Sequence, residues 1–122
     1  MNTIGYVNAI IIKRIVRNHT FIDLYMKSGL YITEIVKRLM KGEKMKKAFP
    51  NQKDRIKHIF ANQVFGLAPT EIIYEIATNY ILGFLEDKDS IKHNFRQVDA
   101  LTYARDGKLN DLIDELFGKN YE

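Results

Sequence analysis

Apolar residues recur at intervals of three and four along most of the chain, the period of a helix with one face turned to a core. Over residues 4–16 the stripe is Ile4, Val7, Ile11 and Ile15; over 32–40 it is Ile32, Ile35, Val36 and Leu39; over 51–64 it is Ile56, Ile59, Phe60 and Val64. The widest stripe, Ile72, Ile73, Ile76, Ala77, Tyr80, Ile81, Phe84 and Leu85, predicts a central helix over 71–85, buried around much of its circumference. Leu109, Leu112, Ile113, Leu116 and Phe117 make the last helix.

Polar residues and glycines mark the ends. Thr20 suits the cap of a short helix that Gly29 stops in the left-handed region, and Gly42 closes the helix that follows, for which Thr33 offers a cap. Residues 41–51 read as a Lys-rich linker, because Pro50 disfavours helix at Phe49. Asn51 caps the next helix and Ala68-Pro69-Thr70 opens the one after it. Residues 86–89 break that helix, Asp89 or Ser90 caps another to about Arg105, and Gly107 and Gly118 end the last two. The run Ile10-Ile11-Ile12 fits a strand equally well by propensity, but no second convincing strand exists to pair with it, so helix is chosen. The fold class these elements predict is all-α: one compact domain over 1–122, of about five to six short helices, with two helical hairpins packed on an N-terminal helical part.

The hairpin expectation rests on an internal echo. Residues 53–60, KDRIKHIF, and 88–95, KDSIKHNF, are identical at six of eight positions. A duplicated hairpin would explain this, as would shared preferences at two helix starts.

Composition narrows the class. The 122 residues, 46% hydrophobic, suffice for one core without staples, and the absence of cysteine removes disulfides, thiolate nucleophiles and cysteine-based zinc sites. Lys13 and Arg14 interrupt the apolar run that begins at Ala9, so neither a signal peptide nor a spanning segment is expected, and the cytoplasm is the predicted location. Sixteen Ile and thirteen Lys against six Arg suggest an AT-rich coding sequence, as in many low-GC bacteria, their phages and plasmids.

Charge separates the two halves. Residues 1–57 carry thirteen Lys or Arg against four acids, and residues 58–122 carry six against eleven. The basic half predicts an anionic partner. Its densest part holds Lys37, Arg38, Lys41, Lys44, Lys46, Lys47, Lys53, Arg55 and Lys57, with Asn51 and Gln52 placed to read base edges from a helix start. Helix-turn-helix geometry fits in two registers. One uses 21–28 and 32–40 as the helix pair; the other uses 29–39 as the supporting helix and the helix opening at Asn51 as the reader.

Other chemistry is sparse. Most aromatics, including Phe21, Phe60, Tyr80, Phe84, Phe95 and Phe117, sit at packing positions, while Tyr6, Tyr25 and Tyr31 lie in the basic half. Asp54 with His58 and Asp89 with His93 fall at i and i+4, the spacing of a surface ion pair, with no third residue to complete a metal site. Glu71 with Glu75, and Asp111 with Asp114 and Glu115, read as helix-surface carboxylates. No phosphate loop or nucleophile elbow is present. The expectation is a small non-enzymatic DNA-binding regulator or accessory factor, without cofactor, metal or membrane contact, with DNA rather than RNA the expected nucleic acid and a homodimer allowed. The alternative is a protein-binding inhibitor, adaptor or assembly subunit, from a phage or plasmid, that docks on an acidic protein surface.

Overall fold

The computed structural model describes residues 19–83, 85 and 87–118. In chain order these form β1 (Phe21–Asp23), α1 (Leu30–Lys41), α2 (Glu43–Ala48), α3 (Gln52–Asn62), β2 (Val64–Ala68), α4 (Glu71–Leu82), a 3-10 turn (Lys88–Ser90), β3 (Asn94–Gln97), α5 (Ala100–Arg105) and α6 (Leu109–Phe117). The chain is therefore mixed α/β, and the all-helical expectation is corrected. A three-stranded sheet in the order β1-β2-β3 runs through it, parallel throughout, with Asp23 opposite Gly66 and Ala68 opposite Gln97.

Three predicted helices change accordingly. The one expected after Thr20 is β1 and a loop. The one through Val64 stops at Asn62, because Val64 starts β2. The one expected from Ser90 to Arg105 is the 3-10 turn, β3 and α5. Conversely, the expected linker 41–51 contains α2. The helix predicted over 4–16 lies outside the described residues.

The central strand explains the layering. All five residues of β2 are buried, as expected for a strand covered on both faces. Val64 and Ala68 join the larger core with Ile35, Leu39, Ile59, Phe60, Ala77, Ile81 and Phe95 from α1, α3, α4 and β3. Phe65 and Leu67 point the other way, against Ala100, Leu112, Ile113 and Phe117 of α5 and α6. Both crossovers that join neighbouring parallel strands thus place their helices on one face, while the C-terminal helices cover the other.

The echoed octets adopt different structures. Residues 53–60 lie in α3, while 88–95 pass from the 3-10 turn into β3. Asn94 stands where the first copy has Ile59, and its Nδ2 donates to Phe60 O at 3.3 Å and Ala61 O at 2.9 Å. The second copy thereby satisfies carbonyls in the last turn of the helix that the first copy forms. The rings of Phe60 and Phe95 meet edge to face, with centroids 6.1 Å apart.

The broad α4 stripe is buried along one side only. Ala77 and Ile81 are buried, whereas Ile72, Ile76 and Tyr80 are 70%, 54% and 49% exposed. No helix among the described residues is long and apolar enough to cross a membrane.

Candidate functional sites

Most of the charged residues singled out from the sequence lie on the second half of α1, on α2 and at the start of α3. Lys37, Lys41, Lys44, Lys46, Lys47, Lys53, Lys57 and Gln52 are all exposed there. Among the described residues a single ion pair is formed on this face, Lys37 Nζ to Glu34 Oε1 at 3.6 Å. Below the lysines lies a groove of about 630 Å³ between α1 and α3, whose lining includes Val36, Met40, Ile56, Tyr80, Lys37 and Lys46. A second depression of about 400 Å³ shares Met40, Gln52 and Ile56 with it and extends to Leu85 and Ile91, with Lys53, Lys57 and Asp87 at its sides.

Two of the predicted residues are hydrogen-bonded into the fold, and a third is partly enclosed by it. Asn51 Oδ1 accepts the backbone N–H groups of Lys53 at 2.8 Å and Asp54 at 3.3 Å, which is the work of a helix cap. Arg55 is buried, and its guanidinium donates to Phe49 O at 3.0 Å, Met40 O at 3.0 Å and Pro50 O at 3.1 Å. It ties the end of α1 to the turn between α2 and α3. Arg38 is half-buried with its Nε enclosed and without an acceptor among the described residues. The first helix-turn-helix register loses its leading helix to β1, and in the second α2 stands between the two helices. His58 stacks on Phe49, with centroids 4.3 Å apart. His93 stacks on Phe95 at 5.2 Å, and its Nδ1 accepts the Phe95 N–H at 3.2 Å. Burial, aided by the Arg96 charge, holds the His93 imidazole below its ordinary pKa. No group of three potential metal ligands occurs among the described residues.

A second candidate site, which sequence reasoning missed, lies at the carboxyl edge of the sheet, where open parallel α/β folds place their ligands. The chain leaves β1 at Asp23, whose Oδ1 accepts the Tyr25 N–H at 3.0 Å and starts the turn. The loop then crosses to the central strand, with Met26 N donating to Leu67 O at 2.8 Å. Met26 is fully buried above Gly66, where any Cβ would overlap its sulfur. Gly29, at φ 91°, ends the loop, and its carbonyl receives Thr33 N at 3.0 Å and Thr33 Oγ1 at 2.8 Å. A side chain there is barred by backbone geometry and also by Ala77 O, 2.9 Å from the position of a Cβ.

Each strand leads to a carboxylate at this edge. Asp23 ends β1, Glu71 opens α4 behind the Thr70 cap, and Asp99 caps α5 by accepting Leu101 N at 3.1 Å. Glu71 and Asp99 have structural reasons to sit at helix starts. Asp23 starts the turn after β1 through its Oδ1, and its burial sets it apart from the other two. It is partly buried, has no cationic partner among the described residues, and burial raises its pKa above 3.8 against the opposing Tyr25 hydrogen bond. The Tyr31 hydroxyl is pushed up as well, first by burial and then by the Asp23 charge. The available signal was Phe21-Ile22-Asp23 followed six residues later by Gly29, a short apolar run, an acid and a glycine before a helix.

The class that this architecture defines is a parallel α/β protein with helices on both faces of its sheet. No protein-family profile, characterised protein or solved structure matches the chain.

Proposed function

We propose that the protein binds a small nucleoside-type ligand at the carboxyl edge of its sheet. The observation that carries this reading is Asp23, a partly buried carboxylate with no cationic partner among the described residues, held at a strand end beside a glycine-terminated loop that leads into a helix. A β-α-β-α-β unit with parallel strands has the topology of the mononucleotide-binding half of doubly wound folds, an analogy at the level of the fold. The chemistry of the edge refines it. Carboxylates at all three strand exits accept hydrogen bonds from hydroxyl and amino groups, such as those of a ribose, and repel polyphosphate. Titration calorimetry with adenosine and ATP tests the reading. Adenosine is expected to bind more tightly than ATP, and Asp23→Asn to weaken it by about tenfold, the loss of one hydrogen bond to a charged group. Equal or tighter binding of ATP, or no effect of Asp23→Asn, would remove Asp23 from the site.

A second reading concerns the lysine face: it binds an anionic macromolecule. It is supported by the seven exposed lysines of 37–57, which have one ion-paired acid among the described residues. Binding to random duplex DNA or to an acidic protein that weakens steeply with salt supports it, whereas indifference to salt removes it.

A further inference from the structure

Lysines on a plain polar surface and lysines around an apolar trough select different partners. A nucleic-acid backbone presents closely spaced phosphates and asks for cations alone, with stacking or base contacts added where single strands or sequences are read. Here the lysines stand over aliphatic side chains. Val36, Met40 and Ile56 line the groove, Tyr80 closes it on the α4 side, and Leu85 and Ile91 line the adjoining depression. Of the side chains suited to base or phosphate contact, Asn51 is occupied as a cap and Arg55 as a triple donor to backbone carbonyls, while Gln52 stays exposed.

The apolar surface also continues beyond the groove. Tyr80, Ile76 and Ile72 lie at successive i, i+4 positions of α4, all on its exposed side. A helix that enters between α1 and α3 could therefore set apolar anchors on Met40 and Ile56, and contact Tyr80, while its flanks meet Lys37, Lys41 and Lys46 on one side and Lys53 and Lys57 on the other. Among the described residues, Asp87 is the one acid in the lining of the two depressions.

We infer that the groove between α1 and α3 docks an acidic amphipathic helix of a protein partner, with apolar anchors at i, i+3/i+4 and i+7 and Asp or Glu along both flanks. This rests on the lysine face as an anionic-partner surface and specifies the partner. Charge complementarity selects the acidic flanks, and the aliphatic lining selects an amphipathic segment over a polyphosphate.

The test uses the full chain and three fluorescent probes: a synthetic peptide of about 16 residues, or four helical turns, with Leu along one face and Glu on its flanks; the same composition scrambled; and random duplex DNA. Anisotropy at low and physiological salt is read for the parent chain, for Met40→Gln with Ile56→Gln, and for Lys37→Glu with Lys41→Glu. The expected result is that the patterned peptide binds more tightly than the scrambled one by about thirtyfold, the loss of a buried anchor cluster. The glutamine pair should abolish that preference, and the glutamate pair should weaken both peptides and flatten the salt dependence. Equal binding of patterned and scrambled peptides overturns the inference and leaves a surface that reads charge alone. DNA bound while neither peptide is bound also overturns it, and keeps the anionic-partner reading. No binding of any probe at low salt overturns both. Circular dichroism of each variant separates lost binding from lost fold.

Discussion

Replacing Arg55 by lysine keeps the formal charge beside the groove and removes most of what the guanidinium does for the fold. Its three donors reach Phe49 O, Met40 O and Pro50 O at 3.0–3.1 Å, and these carbonyls come from two separate places in the chain. Met40 O belongs to the last turn of α1, where no intrahelical partner exists, and the other two belong to the turn before α3. An ammonium can reach one such carbonyl well, whereas the planar fork reaches all three. At a net value of about 1 kcal/mol per hydrogen bond, Arg55→Lys costs about 2 kcal/mol and Arg55→Ala about 3 kcal/mol, with lost packing of the stem added to the second.

For a chain of 122 residues, about 4 °C of melting temperature per kcal/mol gives decreases of about 8 and 12 °C. Urea melts followed by far-UV circular dichroism read the same differences as shifts in midpoint at constant slope. The binding arm is independent, because a buried guanidinium with three donors bound to backbone carbonyls adds little to salt-dependent contact with an anion. Arg55→Lys should therefore leave the affinity for duplex DNA or the acidic peptide within about twofold, below the roughly tenfold loss of a direct charged contact. A decrease of less than about 4 °C for Arg55→Ala, equivalent to about 1 kcal/mol, would refute the assignment of Arg55 to the fold.

At neutral pH Asp23→Asn should raise stability. The folded-state pKa of Asp23 lies above its unfolded value, so folding becomes less favourable as pH rises from about 3.8 through the folded value; the variant's advantage should appear in thermal melts at pH 7 and vanish towards pH 4. Gly66→Ala should cost about 1–3 kcal/mol by forcing Met26 aside, and Met26→Val should recover part of it, read as a coupling energy in a double-mutant cycle; additive losses would show that the two do not touch. His93, with its pKa held below 6.5, binds its proton more readily in the unfolded chain. Its contribution to stability is complete above pH 6.5 and lost as pH falls through that value towards the folded pKa; proton NMR should show it titrating below 6.5, and His93→Gln should flatten the stability profile between pH 7 and 5.

The elements legible in the sequence are those whose pattern is long enough to carry a period. In α1, Ile32, Ile35, Val36 and Leu39 repeat over twelve residues, and in α6, Leu112, Ile113 and Phe117 do so over nine. The strands have three, five and four residues, too few to separate a period of 2 from one of 3.6. β2 hides further because both its faces are buried, so Val64-Phe65-Gly66-Leu67-Ala68 shows no alternation and Val64 reads as the end of α3. Gly29 is instructive in another way. Its left-handed φ was expected, but as the stop of a preceding helix; tertiary contact with Ala77 and Ile81 places it at the start of α1 instead.

The same contrast separates the two candidate sites. Lysines cluster in sequence because α1, α2 and α3 follow one another, so their surface could be read from charge alone, up to the removal of Asn51 and Arg55 by their own hydrogen bonds. Asp23, Glu71 and Asp99 are spread over most of the chain and belong together only because three parallel strands point the same way. With no strands assigned, nothing in composition or spacing joins them.

The two surfaces also share one helix, whose start adjoins the loop after β1 and whose length from Thr33 to Lys41 lines the lysine groove. α1 begins at the carboxyl edge, after Gly29, and ends twelve residues and about 18 Å later at Lys41, beside the lysine groove. Its inner face is held along that length by Ile32, Ile35, Val36 and Leu39, all buried. Packing of this kind resists small continuous displacement, so neither site has a soft path through α1 to the other. The expected result is additivity. The loss of adenosine affinity caused by Asp23→Asn should be the same within about 0.5 kcal/mol whether or not Lys37 and Lys41 carry glutamate, and the loss of peptide affinity should be equally indifferent to Asp23. Titration calorimetry on the four proteins of that cycle measures both. A coupling of about 1–3 kcal/mol would mean that α1 has two positions, each favoured by one of the ligands, and would make the helix itself the link between the small ligand and the partner.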